Sequence, residues 1–319
     1  MTDQQSTQPS DSIAVLIPCY NEAITIGKVI DDFKRELPEA TIYVYDNNSS
    51  DDTADIARAH GAVVRQETRQ GKGNVVRQMI RDIDADYYVM VDGDDTYPAE
   101  FSRDLLAPLQ KQEADMSVGD RLSNGTYGEE NDRAFHGLGN NLVRFLIKII
   151  YGFEFKDVMT GYRGFNRVFA KTMPVLSPSF EIETELSIHA VDKRWRIAEV
   201  PIDYRDRPEG SESKLSTFSD GWKVLKTIAG LFKDYRPLVL FVLLGIIFCI
   251  LGLLAGLPVI IEFAQTGLVP RLPSALLAVA LVFIGILCFS SGLILDTVVK
   301  GYRKEYELDV IQAYERLRK

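Results

Sequence analysis

The sequence predicts an α/β fold, a mostly parallel sheet with helices on both faces, followed by an interfacial helix and two transmembrane helices. Three observations carry this. From Ile13 onward, short β-prone runs alternate with helically spaced apolar residues across short polar connections, the pattern of a doubly covered parallel sheet. One of these runs, Tyr87–Val91, ends abruptly in a cluster of carboxylates. Near the end of the chain lie two uncharged apolar stretches, Leu238–Ile261 and Leu272–Leu295. At ~1.5 Å per helical residue, each is long enough to cross a hydrocarbon core of about 30 Å.

The Tyr87–Val91 run reads as a buried strand closed by Asp92-Gly93-Asp94-Asp95-Thr96-Tyr97-Pro98. Acids at the carboxyl end of such a strand sit where open α/β sheets bind ligands. Alternate residues of an extended chain face opposite ways, but Gly93 lets the backbone turn so that Asp92 and Asp94 converge on one ligand. Paired carboxylates suit Mg²⁺ or Mn²⁺ that is also held by phosphates. The same residues also fit an acidic turn entering a helix, with Pro98 near its first turn.

Taken in order, Ile13–Pro18 is the first strand and ends in Pro18-Cys19-Tyr20-Asn21-Glu22. Ile26, Val29, Ile30, Phe33 and Leu37 form one face of a helix. Thr41–Tyr45 is the second strand, closed by Asp46, and Asn47–Thr53 is a polar turn and helix cap. A helix to His60, a strand at Ala62–Gln66, the Gly71-Lys72-Gly73 turn and a helix at Val75–Ile83 lead to the Asp92 strand. The ends at Pro18–Glu22, Asp46 and Asp92 thus share one sheet edge and can line a nucleotide pocket, with Lys72 close by. No Gly-x-Gly-x-x-Gly follows the first strand, and Gly71-Lys72-Gly73 is not a Walker pattern. Farther on, Met116–Arg121 is a strand, Leu142–Tyr151 an apolar helix, and Phe180–Leu186 an alternation of three glutamates entering a helix with a packed His189. Ile197–Ile202 is a further apolar stretch.

The composition narrows the partners. Of 319 residues, 36 are basic and 45 acidic, a net charge of -9, so no overall basic footprint for nucleic acid exists. Cys19, Cys249 and Cys288 are far apart and lack metal-ligand spacing, which fits a reducing compartment. Residues 1–11 are polar, without an apolar signal core, and read as a disordered lead.

Pro18-Cys19-Tyr20-Asn21-Glu22, Asp46–Thr53, Gly71-Lys72-Gly73 and Asp92-Gly93-Asp94 occur in the order found in family-2 glycosyltransferases, which the chain resembles over roughly Ile13 to Leu215. Thr160-Gly161-Tyr162-Arg163 and the run from Arg205 to Lys214 are similar to the branch that loads sugars onto polyprenyl phosphates. Dolichyl-phosphate mannose synthase and bacterial polyprenyl-phosphate glucosyltransferases belong to that branch. The resemblance implies a GT-A-like fold. It assigns Pro18, Tyr20, Glu22, Asp46, Lys72 and Asp92 to the nucleotide, and Asp92 and Asp94 to the metal. Arg121, Arg133, Arg205, Arg207 and Lys214 would face the acceptor phosphate, with Asp94, Arg121 and Lys214 catalytic. Gly161, Arg163 and Glu183 would lie by the donor sugar. Many relatives carry Asp-x-Asp-Leu-Gln, whereas this chain has Asp92-Gly93-Asp94-Asp95-Thr96, which leaves the ligand after Asp94 open.

Residues 12–216 then form a cytoplasmic glycosyltransferase domain. Residues 217–236 carry Trp222, Leu225, Ile228, Leu231 and Phe232 on one face and lysines beside it, an interfacial amphipathic helix. Residues 237–296 are a two-helix transmembrane hairpin in which Gly245, Gly252 and Gly256 allow close packing. Residues 297–319 are a cytoplasmic tail and a possible homo-oligomer contact. Lys223, Lys226, Lys233 and Arg236 precede the first span and Lys300, Arg303 and Lys304 follow the second, against a single Arg271 between them. By the positive-inside rule, the catalytic domain and both termini are cytoplasmic and the protein is integral to the cytoplasmic membrane.

The expected activity is inverting transfer of a hexose from a nucleotide sugar, UDP-linked by resemblance, to polyprenyl phosphate. Two alternatives stay open. One is transfer to a hydroxyl of a lipid-linked saccharide, with Glu183 or Asp95 as base. The other is a non-catalytic membrane protein that binds nucleotide sugar.

Overall fold

Strand Ile13–Cys19 (β1) is buried at every position, as a central strand covered on both faces must be. The computed structural model describes residues 11–124, 143–145, 147–149, 151–179, 181–208, 230 and 235–317. Among them, β1 is followed by helix Ile26–Glu36 (α1), strand Thr41–Asp46 (β2), helix Thr53–Ala59 (α2) and strand Val63–Gln66 (β3). Helix Lys72–Asp82 (α3), strand Tyr87–Met90 (β4), helix Ser102–Gln110 (α4) and strand Met116–Asp120 (β5) come next. Strand Arg163–Asn166 (β6), helix Arg167–Thr172 (α5), helix Ile182–Asp192 (α6) and strand Ile197–Pro201 (β7) complete the α/β part.

The seven strands form one sheet in the order β3-β2-β1-β4-β6-β5-β7. Pairing is parallel throughout except at β6, which runs antiparallel to both β4 and β5. The alternation read from the sequence therefore gives the expected GT-A-like, mostly parallel sheet. The core lies on both of its faces. Ile26, Val29, Ile30 and Phe33 of α1 are buried on one side, and Val75, Val76, Met79 and Ile80 of α3 lie on the inward face of their helix.

Two elements differ from the expectation. β6 is a strand that the sequence pattern does not announce: Arg163 to Asn166 pairs antiparallel with both β4 and β5. α3 starts at Lys72 instead of Val75, so Gly71 and Lys72 form its entry. The second apolar helix runs on through the charged tail, so that Leu272–Leu317 (α8) is one helix of 46 residues.

Contacts divide the chain into two compact units, Met1–Val224 with Asp309–Lys319, and Leu225–Leu308. In the second unit, Pro237–Thr266 (α7) and α8 are both long and apolar enough to cross a membrane, with windows of mean hydropathy 3.2 and 2.6. α7 ends on Gly267, whose φ of 69° is the left-handed cap geometry that glycine tolerates best. Gly245, Gly252 and Gly256 are buried in α7, as expected of a small-residue seam. A β-carbon at Gly245 would lie 3.0 Å from the Gly285 carbonyl oxygen, and one at Gly252 3.0 Å from that of Ala278. The interfacial helix at 217–236 falls almost wholly outside the described residues, as do Arg133, Lys214 and the 1–10 lead.

Candidate active site

Parallel pairing sets the carboxyl ends of three strands side by side. Cys19 is in register with Asp46, and Leu16 with Met90 two residues before Asp92. The loops after β1 and β2 are then tied to one another. The Asn21 amide donates to Ser49 Oγ (2.9 Å), the Glu22 amide to Thr53 Oγ1 (2.8 Å) and the Ser50 amide to Asn21 Oδ1 (2.7 Å). Asn21 and Asn48 both adopt positive φ, which asparagine tolerates in such turns. Pro18 is buried in β1 while the Tyr20 ring is partly exposed at the rim, a surface for a planar ligand.

Asp46 is buried, and its Oδ2 accepts a long bond from the Ser49 amide (3.3 Å). Its Oδ1 has no hydrogen-bond partner among the described residues. Desolvating an acceptor without a partner is costly, so this atom suits a ligand that brings a donor. Neighbouring Asn47 is structural. Its amide nitrogen donates to the carbonyls of Glu67 (2.7 Å) and Arg69 (2.9 Å), and its oxygen accepts from the Gly71 amide (2.7 Å).

Lys72 is the charge centre. Its buried ammonium bridges Asp92 and Glu183, the latter at 2.5 Å. Burial disfavours the ammonium, but the carboxylates of Asp92 and Glu183 outweigh it and raise the lysine's pKa. Glu183 is raised by burial, with Asp92 adding repulsion that Lys72 opposes. Glycines make the bridge possible: a β-carbon at Gly71 or Gly73 would collide with the carbonyl oxygens of Pro178 or Ser177. That close approach brings α6, and Glu183 with it, onto the start of α3. On the far side, a β-carbon at Gly161 would lie 2.5 Å from Asp92 Oδ2 and 3.0 Å from Lys72 Nζ.

Asp94 is buried next to Asp92. Its Oδ1 accepts from the Thr96 amide (3.2 Å) and hydroxyl (2.6 Å), and its Oδ2 from Arg207 Nη2 (2.5 Å). Burial and then the charge of Asp92 push its carboxyl above the usual range, against the pull of Arg207. Asp95 turns away at φ 60° and pairs with Lys28 at 2.7 Å. The residue that steadies Asp94 in this chain is thus Thr96. Among the described residues, no group of three His, Cys, Asp or Glu side chains could hold an ion. Asp92 and Asp94 nevertheless fit a divalent cation whose remaining ligands come from phosphate and water, as Mg²⁺ prefers.

Several predicted roles change. Arg163 is fully buried. It donates to the carbonyls of Thr160 (3.0 Å) and Val158 (2.6 Å) and to Ser187 Oγ (2.9 Å), and burial lowers its pKa to about 10. It braces the turn before β6 and presents no surface to a sugar. Arg121 grips Asp157 with two bonds, Nε at 2.6 Å and Nη2 at 3.0 Å, and its Nη1 lies 3.4 Å from the Tyr97 hydroxyl. That hydroxyl also accepts the Gly161 amide at 2.9 Å. Through Asp157 and Tyr97, Arg121 braces the Gly161 wall of the site. Arg205 holds Glu100 at 2.9 Å. His189 is buried as expected.

Tyr97, Thr96 and Asp157 were missed as functional residues. Tyr97 and Thr96 directly follow the acid cluster, which is a usable signal. The Arg121–Asp157 pair joins positions 36 apart with no local pattern to announce it.

A family profile described as glycosyl transferase family 2 matches residues 14–173. "Glycosyltransferase AglJ" of Haloferax volcanii is 31% identical, over 92% of this chain and 96% of its own. "Dolichyl-phosphate hexose transferase" of the same organism is 33% identical, over 71% of this chain and 96% of its own. Glucosyl-3-phosphoglycerate synthase from Mycobacterium tuberculosis, solved in complex with Mn²⁺, UDP and phosphoglyceric acid, superposes with a TM-score of 0.56 at 23% identity. The match covers 70% of this chain and 78% of that one, a likeness of fold.

Proposed function

The chain belongs to glycosyl transferase family 2, and from that premise we propose that it transfers a hexose from a nucleoside diphosphate sugar, UDP-linked, to a polyprenyl phosphate at a membrane surface, with inversion at the sugar carbon. The observation that carries this reading is the cluster at the sheet edge. Two adjacent carboxylates, Asp92 and Asp94, are countered by cations from remote parts of the chain, Lys72 and Arg207. Such an arrangement suits a diphosphate and an anionic acceptor. A relative named for dolichyl-phosphate hexose transfer supports the acceptor class.

Tyr20 and the unpartnered Asp46 oxygen would take the base, and Asp92 and Asp94 would hold Mg²⁺ or Mn²⁺. When bound, that ion would neutralise charge on the diphosphate. Glu22 would border the nucleotide, and Gly161, lacking a side chain, would leave room beside Asp92 for the sugar. Arg207, Arg133 and Lys214 would hold the acceptor phosphate. A phosphate monoester has its second pKa near 6, so the acceptor arrives largely ionised at neutral pH. One of its oxygens forms the bond to the anomeric carbon as the bond to the diphosphate oxygen breaks, and no base is required. The two side chains a hydroxyl acceptor would need as base, Glu183 and Asp95, are both tied in ion pairs, to Lys72 and Lys28. Their pairing supports the phosphate reading. Glu183 is then a positioning residue that fixes Lys72.

The test is incubation of the purified membrane protein with labelled UDP-hexose, Mn²⁺ and polyprenyl phosphate. A lipid-extractable product whose sugar is released by mild acid is expected, and Glu183→Gln should keep its rate within about tenfold of wild type. If label enters only an acid-stable glycoside, and Glu183→Gln loses more than about a thousandfold while still binding donor, the hydroxyl-acceptor reading replaces this one.

A further inference from the structure

The oxygen of Asp94 that a metal would use is held by a cation of the chain itself. Asp94 is fixed in place. Thr96 saturates its Oδ1, and the preceding Gly93 carbonyl is bound by the buried Thr25 hydroxyl at 2.7 Å. Its Oδ2 takes Arg207 Nη2 at 2.5 Å. A divalent ion and a guanidinium repel one another, and in a buried site that repulsion is strong. One must leave, and Asp94 is not free to swing.

The two cations of the cluster differ in how they are held. Lys72 is clamped between Asp92 and Glu183 and sits at the start of a helix. Arg207 lies on the segment beyond β7 with a partly exposed side chain. The anchor on that segment is Arg205, whose amide donates to the Thr96 carbonyl (2.9 Å) and whose guanidinium pairs with Glu100 (2.9 Å). Arg207 lies two residues past this anchor, with 29% of its side chain exposed.

We propose that Arg207 is the resident counter-ion of Asp94, and that the divalent cation binds by displacing it. Loading the metal would then deliver the Arg207 guanidinium to the acceptor side in the same event. The inference rests on the reading above that Asp94 is a metal ligand. It assigns Arg207 two sequential partners, a carboxylate before donor binding and a phosphate after it. It also explains why a buried carboxylate pair is stable before any ion arrives, since two such charges side by side require a compensating cation.

The test is Mn²⁺ binding to the full-length protein in the presence of UDP, followed by the electron paramagnetic resonance of free Mn²⁺, a readout independent of turnover. Removing a competing charge-assisted bond should tighten Mn²⁺ binding by on the order of tenfold in Arg207→Gln. Arg207→Lys should fall between this variant and wild type, and carries the test if the Gln variant does not fold. Arg103→Gln, which deletes a surface charge paired with Glu39, controls for net charge and should leave Mn²⁺ affinity unchanged. Wild-type-like or weaker Mn²⁺ binding in the Arg207 variants overturns the exchange while leaving the metal reading intact. If wild-type protein with UDP binds no Mn²⁺ at all, the metal reading and this inference both fail.

Discussion

Gly161 shows how far a single atom matters in this site. Its amide is held by Tyr97 and its missing side chain is the space beside Asp92 Oδ2 and Lys72 Nζ. Gly161→Ala should push Asp92 off its position without emptying the core. The expected result is a loss of ten- to a hundredfold in kcat with little change in melting temperature, since misplacing a reacting group by ~1 Å can slow a reaction about 10²-fold. Steady-state kinetics and thermal unfolding together check it, and an unimpaired kcat would place the reacting atoms elsewhere. His189 makes a prediction about pH. Its imidazole is buried beside Phe169, and burial lowers its pKa to about 3. The folded state therefore binds fewer protons than the unfolded state between about pH 6.5 and 3. This stability is fully present above the unfolded pKa and is lost as pH falls through that window, at no more than about 1.4 kcal/mol per pH unit. Melting temperature should drop on going from pH 7 to 5, and His189→Leu should drop less over the same interval. Parallel curves for the two proteins would refute the assignment.

Among the elements, the start of α3 is decided by what packs on it. Gly71 has φ 123°, a region closed to other residues, and Gly73 lies against the Ser177 carbonyl. The Asn74 amide reaches the Pro178 carbonyl at 3.2 Å, so the segment before α6 is joined to α3 through backbone. Gly73→Ala must open that joint. A destabilisation of about 1–3 kcal/mol is expected, together with weaker donor binding, because Glu183 would withdraw from Lys72. Denaturant unfolding with nucleotide titration measures both, and wild-type values in both would show that the joint is not structural. β6 makes the complementary point. Running antiparallel between β4 and β5, it buries Arg163 under the sheet and sets Gly161 at the strand's mouth.

At the scale of the whole molecule, the hairpin unit carries its charges asymmetrically. Within the hairpin unit, Arg303 Nη2 donates to the Tyr235 carbonyl at 3.1 Å, so the entry to α7 and the charged stretch of α8 lie at the same end. Lys300, Arg303 and Lys304 gather there, while Arg271 stands at the other end, paired with Glu262 at 3.0 Å. We propose that the basic end is cytoplasmic. In a background without Cys19, Cys249 and Cys288, a cysteine at Leu268 should react with an impermeant reagent from outside intact cells. A cysteine at Tyr302 should react only after lysis. The reverse pattern would invert the topology.

The alternation of apolar strands and amphipathic helices, the acids closing the Tyr87 run and the two uncharged stretches near the end were all legible in the sequence. Each is a local pattern, set by periodicity, turn chemistry or hydropathy over a few residues. They determined the α/β class, the sheet edge that carries Pro18, Asp46 and Asp92, and the two apolar helices. The partners of charged side chains were not legible. Arg121 was read as facing a phosphate, and its partner in the folded chain is Asp157; Arg163 was read as lying by a sugar and is fully buried; Glu183 was read as lying by the sugar or acting as a base, and it pairs with Lys72. An isolated arginine or glutamate has the same local signature whether it meets a ligand or another side chain. Only the folded backbone, which brings position 183 to 72, 157 to 121 and 207 to 94, decides which charge neutralises which.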